Sequence, residues 1–250
     1  MKTEWDYTTL ADAYLKRPDY AADALVRIHA TAGLRPGMRA CDIGAGVGHL
    51  TLHLAAWQLD VVAIEPNDAM RRNGMARTAA MPRVRWVEAI SERTGQPDGA
   101  FDFVSFGSSF NVADRTLVMK ETHRILRPGR WFTCMWNHRD LDDPVQREIE
   151  AIFHREIPGY GYGSRREDQS EVIARSGLFA GVEAVEGRIL HRQPIPDVVE
   201  AWRSHATLER QAGARFHAIV DKVEAFLRGL GVEAIDVPYT TRAWVAQRKE

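Results

Sequence analysis

Residues 40–50 read Ala40-Cys41-Asp42-Ile43-Gly44-Ala45-Gly46-Val47-Gly48-His49-Leu50, and the fold follows from them. Arg35-Pro36-Gly37-Met38 forms a turn that leads the chain into this short apolar run. Behind it, Leu50-Thr51-Leu52-His53-Leu54-Ala55-Ala56-Trp57 has the apolar spacing of an amphipathic helix. Strand, glycine turn and helix open a nucleotide-binding βαβ unit. Gly44 and Gly46 permit a tight turn with positive φ and close approach of a ligand to the backbone, while Gly48 lets the helix pack near the sheet.

A glycine triplet alone is weak, so its neighbours carry the argument. The second expected strand, Val61-Val62-Ala63-Ile64, ends in Glu65, an acid placed to accept hydrogen bonds from ribose hydroxyls. That register leaves a dinucleotide and S-adenosylmethionine both open. The glycines run G-x-G-x-G rather than G-x-G-x-x-G, and Asp42 stands two residues before the first of them. A carboxylate there suits an ammonium-bearing ligand such as the methionine part of S-adenosylmethionine and opposes a pyrophosphate.

Composition bounds the rest. A chain of 250 residues, 45% hydrophobic, fits one α/β sheet with a small cap. The 33 basic and 34 acidic residues nearly cancel, so no field draws nucleic acid or an anionic membrane. The excess of arginine over lysine reads as codon bias of a GC-rich genome. Met1 to Asp6 lacks the apolar core of a signal peptide, and no apolar run is long enough to span a bilayer, so the location expected is the bacterial cytoplasm. Cys41 and Cys134 fall on the first and fifth expected strands and read as reduced core residues.

Four stretches together resemble the class I S-adenosylmethionine-dependent methyltransferases, in particular the small-molecule branch of trans-aconitate and ubiquinone-biosynthesis type. Cys41 to Gly48 matches the first motif and Val62 to Asn67 the second. Pro97 to Val104 resembles the approach to the fourth strand, and Glu121 to Arg130 the helix and turn before the fifth. The resemblance implies a Rossmann-like, seven-stranded, mostly parallel sheet with helices on both faces and a small helical cap. It implies a single domain over 1–250, an N-terminal helical lid at 1–33 and a cap insertion at about 139–170. The first and fifth strands then lie two positions apart, roughly 9–10 Å, beyond disulfide reach.

The same resemblance assigns the donor site. Asp42, Gly44, Ala45, Gly46, Gly48, Glu65 and Pro66 would hold S-adenosylmethionine, with Met70 and Ile90 near adenine, Ser91 at its polar edge, and Phe106 and Gly107 below. From the lid, Tyr14 and Arg17 would close the site, Arg17 on the methionine carboxylate. Ile90 departs from an acidic residue common in the family.

Further expectations come from the chain in order. Thr8 or Thr9 caps a first helix and Asp19 a second, either side of Pro18. Asn67 caps the helix after Glu65. The fourth strand, Phe101 to Phe106, is continuously apolar, as a central parallel strand is. A helix over 112–126 contains a solvent-facing His123. Asp140, Asp142 and Asp143 invite a metal reading, but Asp143 before Pro144 is an ordinary helix cap, so no metal site is expected. A helix over 170–178 and a strand over 182–192 precede helices over 196–210 and 214–230 and a last strand over 240–247.

Loops beyond the carboxyl ends of parallel strands face the ligand. Ser109, Phe110 and Asn111 after the fourth strand, and Trp136 and Asn137 ending the fifth, are therefore candidate acceptor contacts, with Tyr7. His138 is the best-placed general base. The insert Pro158 to Arg166 brings Tyr160, Tyr162, Arg165 and Arg166, whose arginines suit a carboxylate or phosphate. By resemblance, Trp202, Arg203 and His205 line the pocket from above. The function expected is methyl transfer to a small-molecule O- or N-nucleophile by a monomer or homodimer acting on neither nucleic acid nor membrane. An NAD(P)-dependent oxidoreductase and a non-catalytic S-adenosylmethionine-binding protein are the alternatives.

Overall fold

The computed structural model describes residues 7–250; residues 1–6, the start of the expected lid and the stretch read for a leader, lie outside the described residues. Seven strands form one sheet: β1 Arg39–Ile43, β2 Asp60–Ile64, β3 Val84–Val87, β4 Phe101–Gly107, β5 Leu126–Arg139, β6 Phe179–Pro194 and β7 Ala234–Arg248. Their order is β3-β2-β1-β4-β5-β7-β6, parallel through β5, with β7 antiparallel to both neighbours. The order turns back between β1 and β4, which opens a crevice beyond their carboxyl ends.

Ten α-helices complete the described chain: α1 Ala11–Tyr14, α2 Ala22–Thr31, α3 His49–Ala56, α4 Asp68–Arg77, α5 Arg115–Ile125, α6 Pro144–Glu156, α7 Ser170–Arg175, α8 Ile195–Arg203, α9 Ala206–Ala212 and α10 Phe216–Gly229. Successive strand residues point to opposite faces, so the sheet builds two cores. On one face Ala40, Val61 and Phe103 pack with Leu25 and Ile28 of α2 and Leu54 of α3. On the other, Cys41, Val104, Phe132 and Trp244 pack with Val118 of α5 and Ile173 of α7. Cys41 and Cys134 are both free and buried.

A third core lies off the sheet. Ile149 and Phe153 of α6, Val198 and Trp202 of α8, and Ile219 and Val223 of α10 enclose the end of the β6–β7 ladder. That ladder outruns β5: β5 stops at Arg139 opposite Tyr239, whereas β6 and β7 stay paired out to Pro194 and Ala234. Helices α8 to α10 connect the overrunning ends, and α6 follows β5 from the same edge. The cap therefore grows over the carboxyl ends of the parallel strands and draws on residues 195–229 as well as on the insertion expected near 139–170.

Several local expectations change. Tyr7 begins the first helical turn without a side-chain cap, so neither Thr8 nor Thr9 caps it. Asp19 does not cap α2; Ala21 stands there, and the Asp19 carboxylate instead accepts from Tyr20 N and pairs with His53 Nε2 at 2.6 Å. The helix expected over 196–210 breaks at Ser204, because His205 Nδ1 accepts from Leu208 N and starts α9 anew. His123 is half-buried against Phe179, ring centres 6.1 Å apart. Asn67 and Asp143 do cap α4 and α6, each carboxamide or carboxylate oxygen taking two backbone N–H groups. Among the described residues no helix is long and apolar enough to cross a membrane.

Candidate active site

The glycine turn shapes the floor of the site. Gly44 sits at φ +66°, and a Cβ there would stand 2.5 Å from Cβ of Ser109, whose hydroxyl donates to Ile43 O at 2.6 Å. Gly46 sits at φ +58° with nothing within 4 Å of where its Cβ would be, so the turn leaves open space above its backbone. That space belongs to a cavity of about 820 Å³ beyond the carboxyl ends of β1, β2, β4 and β5. Its size is near the upper end of the roughly 300–1,000 Å³ usual for small-molecule sites.

Two acids anchor the floor. Glu65 accepts from Gly46 N and from Asn67 N, both at 2.8 Å, so its two carboxylate oxygens clamp the glycine turn to the start of α4. Burial raises its pKa, and those two amide bonds hold it back. Asp42 is fully buried at the end of β1, accepting from Thr51 Oγ1 at 2.6 Å and Ser105 Oγ at 2.9 Å. Burial pushes it up to about 6 against those hydroxyl bonds. A cation beside it would relieve that cost. Asp42, Gly44, Ala45, Gly46, Glu65 and Pro66 all line the cavity. Met70, Ile90, Ser91 and Gly107 extend the same wall.

The open backbone at Gly46, a ribose-competent carboxylate and a buried acid with no cationic partner among the described residues together fit S-adenosylmethionine. Gly48 lies behind the wall, where a Cβ would meet the Trp86 ring at 3.3 Å, so it serves packing. Phe106 is a correction: the side chains of β4 alternate, and its ring is fully buried against Phe110 at 5.3 Å, off the cavity.

The roof comes from scattered segments. Tyr7, Tyr14 and Arg17 reach in from the N-terminal arm. Asn67 Nδ2 donates to Thr8 Oγ1 and Asn73 Nδ2 to Asp12, which strap the arm to α4. Lys16 pairs with Asp197 and Glu200 of α8, which strap it to the cap. Trp136 and Asn137 end β5, Arg165 leaves the insert, and His205 begins α9.

Several of the expected acceptor contacts hold the architecture instead. Ser109 and Asn111 line the cavity, yet the Ser109 hydroxyl is bound to Ile43 O and Asn111 Oδ1 accepts from Trp136 Nε1 at 2.9 Å. Asn137 donates to Asp19 O and accepts from Thr241, tying β5 to the arm. Phe110 and Tyr160 are corrections. Phe110 is buried among Phe106, Phe132 and Trp136, and Tyr160 lies in the cap core 5.2 Å from Phe153.

His138 is also a correction. It alternates with Asn137 and Arg139 on β5 and points away from the cavity they line, 4% exposed, with both ring nitrogens unpartnered. Burial, with Arg166, Arg165 and Arg242 nearby, pushes it down to about 3. The histidines on the cavity are His49 and His205. Burial, assisted by Arg77, lowers His49 to about 4. His205 is driven well below its ordinary value by burial, and its Nδ1 already accepts from Leu208 N at 3.1 Å. Its neutral ring therefore carries the proton on Nε2, which is then a donor site and not a base.

Tyr20, Arg210 and Tyr239 on this cavity carried no signal in the sequence, whereas Ser108 and Arg139 belong to the loop and strand end expected to face the crevice. Ser108 holds φ +62°, a strained conformation for a side-chain-bearing residue at a ligand-facing turn, with its hydroxyl 3.4 Å from Tyr20 OH. Arg139 was within reach of strand alternation, since it shares a face with Asn137.

Residues 41–134 match the methyltransferase-domain family. A demethylmenaquinone methyltransferase of Staphylococcus aureus is 31% identical over 167 residues, 64% of this chain and 69% of that protein. The YcgJ protein of Bacillus subtilis superposes with TM-score 0.59 at 16% identity, over 91% of this chain and 98% of that one. Phosphoethanolamine N-methyltransferase 2 of Haemonchus contortus, solved with phosphomonomethylethanolamine and S-adenosylhomocysteine, superposes with TM-score 0.57 at 16% identity, over 99% of this chain and 58% of that one. These likenesses and the donor floor decide against the NAD(P) and non-catalytic alternatives: the chain belongs to the class I S-adenosylmethionine-dependent methyltransferases, in the small-molecule branch.

Proposed function

We propose that this enzyme methylates an oxygen or nitrogen atom of a small-molecule acceptor held between the donor floor and the roof. The observation that carries the reading is one continuous cavity with the glycine turn, Glu65, Ile90 and Ser91 on one side and Trp136, Arg139, Arg165 and Tyr239 on the other. S-Adenosylmethionine supplies a methyl group already activated by the positive sulfonium. On the floor, Glu65 would accept from the ribose hydroxyls, Asp42 would face the ammonium, and Ile90 with Ser91 would border adenine. Arg17, stacked 3.6 Å over the Tyr14 ring, would take the methionine carboxylate.

What the roof contributes is alignment and the exclusion of water, which suffices for an in-line displacement at carbon. A carbon nucleophile must first lose a proton, and the cavity offers poor bases for that. His205 carries its proton on Nε2, His49 is weakly basic, and the four lining carboxylates, Asp42, Glu65, Glu92 and Asp114, each already accept hydrogen bonds. A heteroatom attacks with a lone pair it already has. The S. aureus relative's name supports a small organic acceptor without deciding the atom. The test is transfer from ¹³C-methyl S-adenosylmethionine to a panel of phenols, amines and carbon acids. A product methyl resonance in the O- or N-methyl range is expected; C-methyl product alone would overturn the reading.

A further inference from the structure

We infer that the acceptor is an organic anion, a carboxylate or phosphate ester, gripped by the guanidinium groups of Arg139 and Arg165; this rests on the donor reading above and names its substrate class. Arg139 lies 3.9 Å over the Trp202 ring and 5.4 Å from that of Tyr239, and Arg165 lies 5.3 Å from that of Tyr162. Stacking on ring faces holds a guanidinium flat while leaving its N–H edge free for a forked anion.

Neither side chain forms an ion pair among the described residues, whereas Arg71, Arg124, Arg127 and Arg242 elsewhere in the molecule each have a carboxylate. Among the described residues, Nε of Arg165 is buried without a hydrogen-bond partner. Burial and the neighbouring Arg17 and Arg139 hold Arg165 down to about 10, so like charges crowd this wall. Glu150 lies within electrostatic reach of Arg139, but its carboxylate is bonded to the Tyr162 hydroxyl. Partly buried cations without counter-charge are held less favourably than paired ones. A ligand that brings the missing negative charge removes that disadvantage.

One carboxylate comes with the donor itself, and Arg17 is assigned to it. Arg139 and Arg165 remain for a second anion, on the side of the cavity formed by Trp136 and Tyr239. Those rings suit an aromatic body.

The test is calorimetric titration of benzoate, phenyl phosphate and benzamide into enzyme saturated with S-adenosylhomocysteine. At least one of the two anions is expected to bind about tenfold or more tightly than the neutral amide. Tighter benzoate marks a carboxylate acceptor and tighter phenyl phosphate a phosphate ester. Arg139→Gln and Arg165→Gln should each weaken the anion about tenfold, with Arg139→Lys intermediate, while S-adenosylhomocysteine affinity stays unchanged. Benzamide binding as well as the anions, or no anion binding, would overturn the inference. Parallel loss of S-adenosylhomocysteine in both glutamine variants would overturn it too, by assigning these arginines to the donor. If the wild type does not bind S-adenosylhomocysteine, the donor reading fails by itself, and the same series in its absence still decides the anion site.

Discussion

The floor of the cavity comes from residues 42–91 with Gly107, on consecutive strand ends, whereas the roof gathers Tyr14, Arg139, Arg165, His205 and Tyr239 from five separate places in the chain. The floor serves a ligand of fixed chemistry, so its requirements recur at fixed spacing: an acid, three glycines, a second acid. The roof serves an acceptor of open chemistry, and only its three-dimensional convergence marks it. Stability follows the same division. The floor rests on a sheet buried on both faces; the roof rests on a helical core of its own, organised around Trp202 and Phe153, 4.8 Å apart.

Trp202→Ala tests that division with the largest effect. Removing a fully buried indole from the cap core should cost about 3–5 kcal/mol in chemical denaturation. S-Adenosylhomocysteine affinity of the folded fraction should change little; an equal loss of donor affinity would mean that roof and floor are one unit.

Asp42 gives a pH signature belonging to the floor. Its folded pKa, about 6, lies above its ordinary value of 3.8, so the folded state holds the proton more tightly. The resulting stability is fully present below pH 3.8 and is lost as pH rises through about 6. Two pKa units correspond to about 3 kcal/mol. Asp42→Asn should remove that fall from a plot of unfolding free energy against pH. In the wild type, binding of the ammonium-bearing S-adenosylhomocysteine should strengthen as pH rises through the same range, because the charged carboxylate is the form that binds. Identical profiles for the two proteins would show that Asp42 does not titrate there.

Paired caps make the finest comparison. Asn67 accepts from Ala69 N and Met70 N at the start of α4, and Asp143 from Val145 N and Gln146 N at the start of α6. Alanine at either should cost about 1 kcal/mol. Only Asn67→Ala should also weaken donor binding, since Asn67 lines the floor; matching donor affinities would remove that distinction.

Why the donor half was legible and the other half was not is visible in particular residues. The glycines and Glu65 are joined by a single bond, Gly46 N to Glu65 Oε2, and both lie within one βαβ unit. Phe106 misled because β4 is buried on both faces, so no alternation in sequence tells which side chain meets the cavity. His138 misled for the opposite reason: it is polar at a strand end but stands one residue out of phase with Asn137 and Arg139. The break at Ser204 was hidden because the group that starts α9 is an imidazole, not one of the short polar side chains that usually begin helices. Arg165 was legible as an anion-binding arginine of the insert and Arg139 as a polar residue at a strand end, but nothing in the sequence pairs them; their joint meaning lies in the counter-charge that both lack among the described residues.

Glu65 is the centre of the donor site, and calorimetric titration of S-adenosylhomocysteine into wild type and Glu65→Ala measures its contribution. Loss of the carboxylate removes both the clamp on Gly46 and the acceptor for the ribose. The predicted result is tight binding by the wild type and about a hundredfold weaker binding by the variant, roughly 2.8 kcal/mol, without competition by NADH. Equal affinities for the two proteins, or displacement of the ligand by NADH, would contradict it.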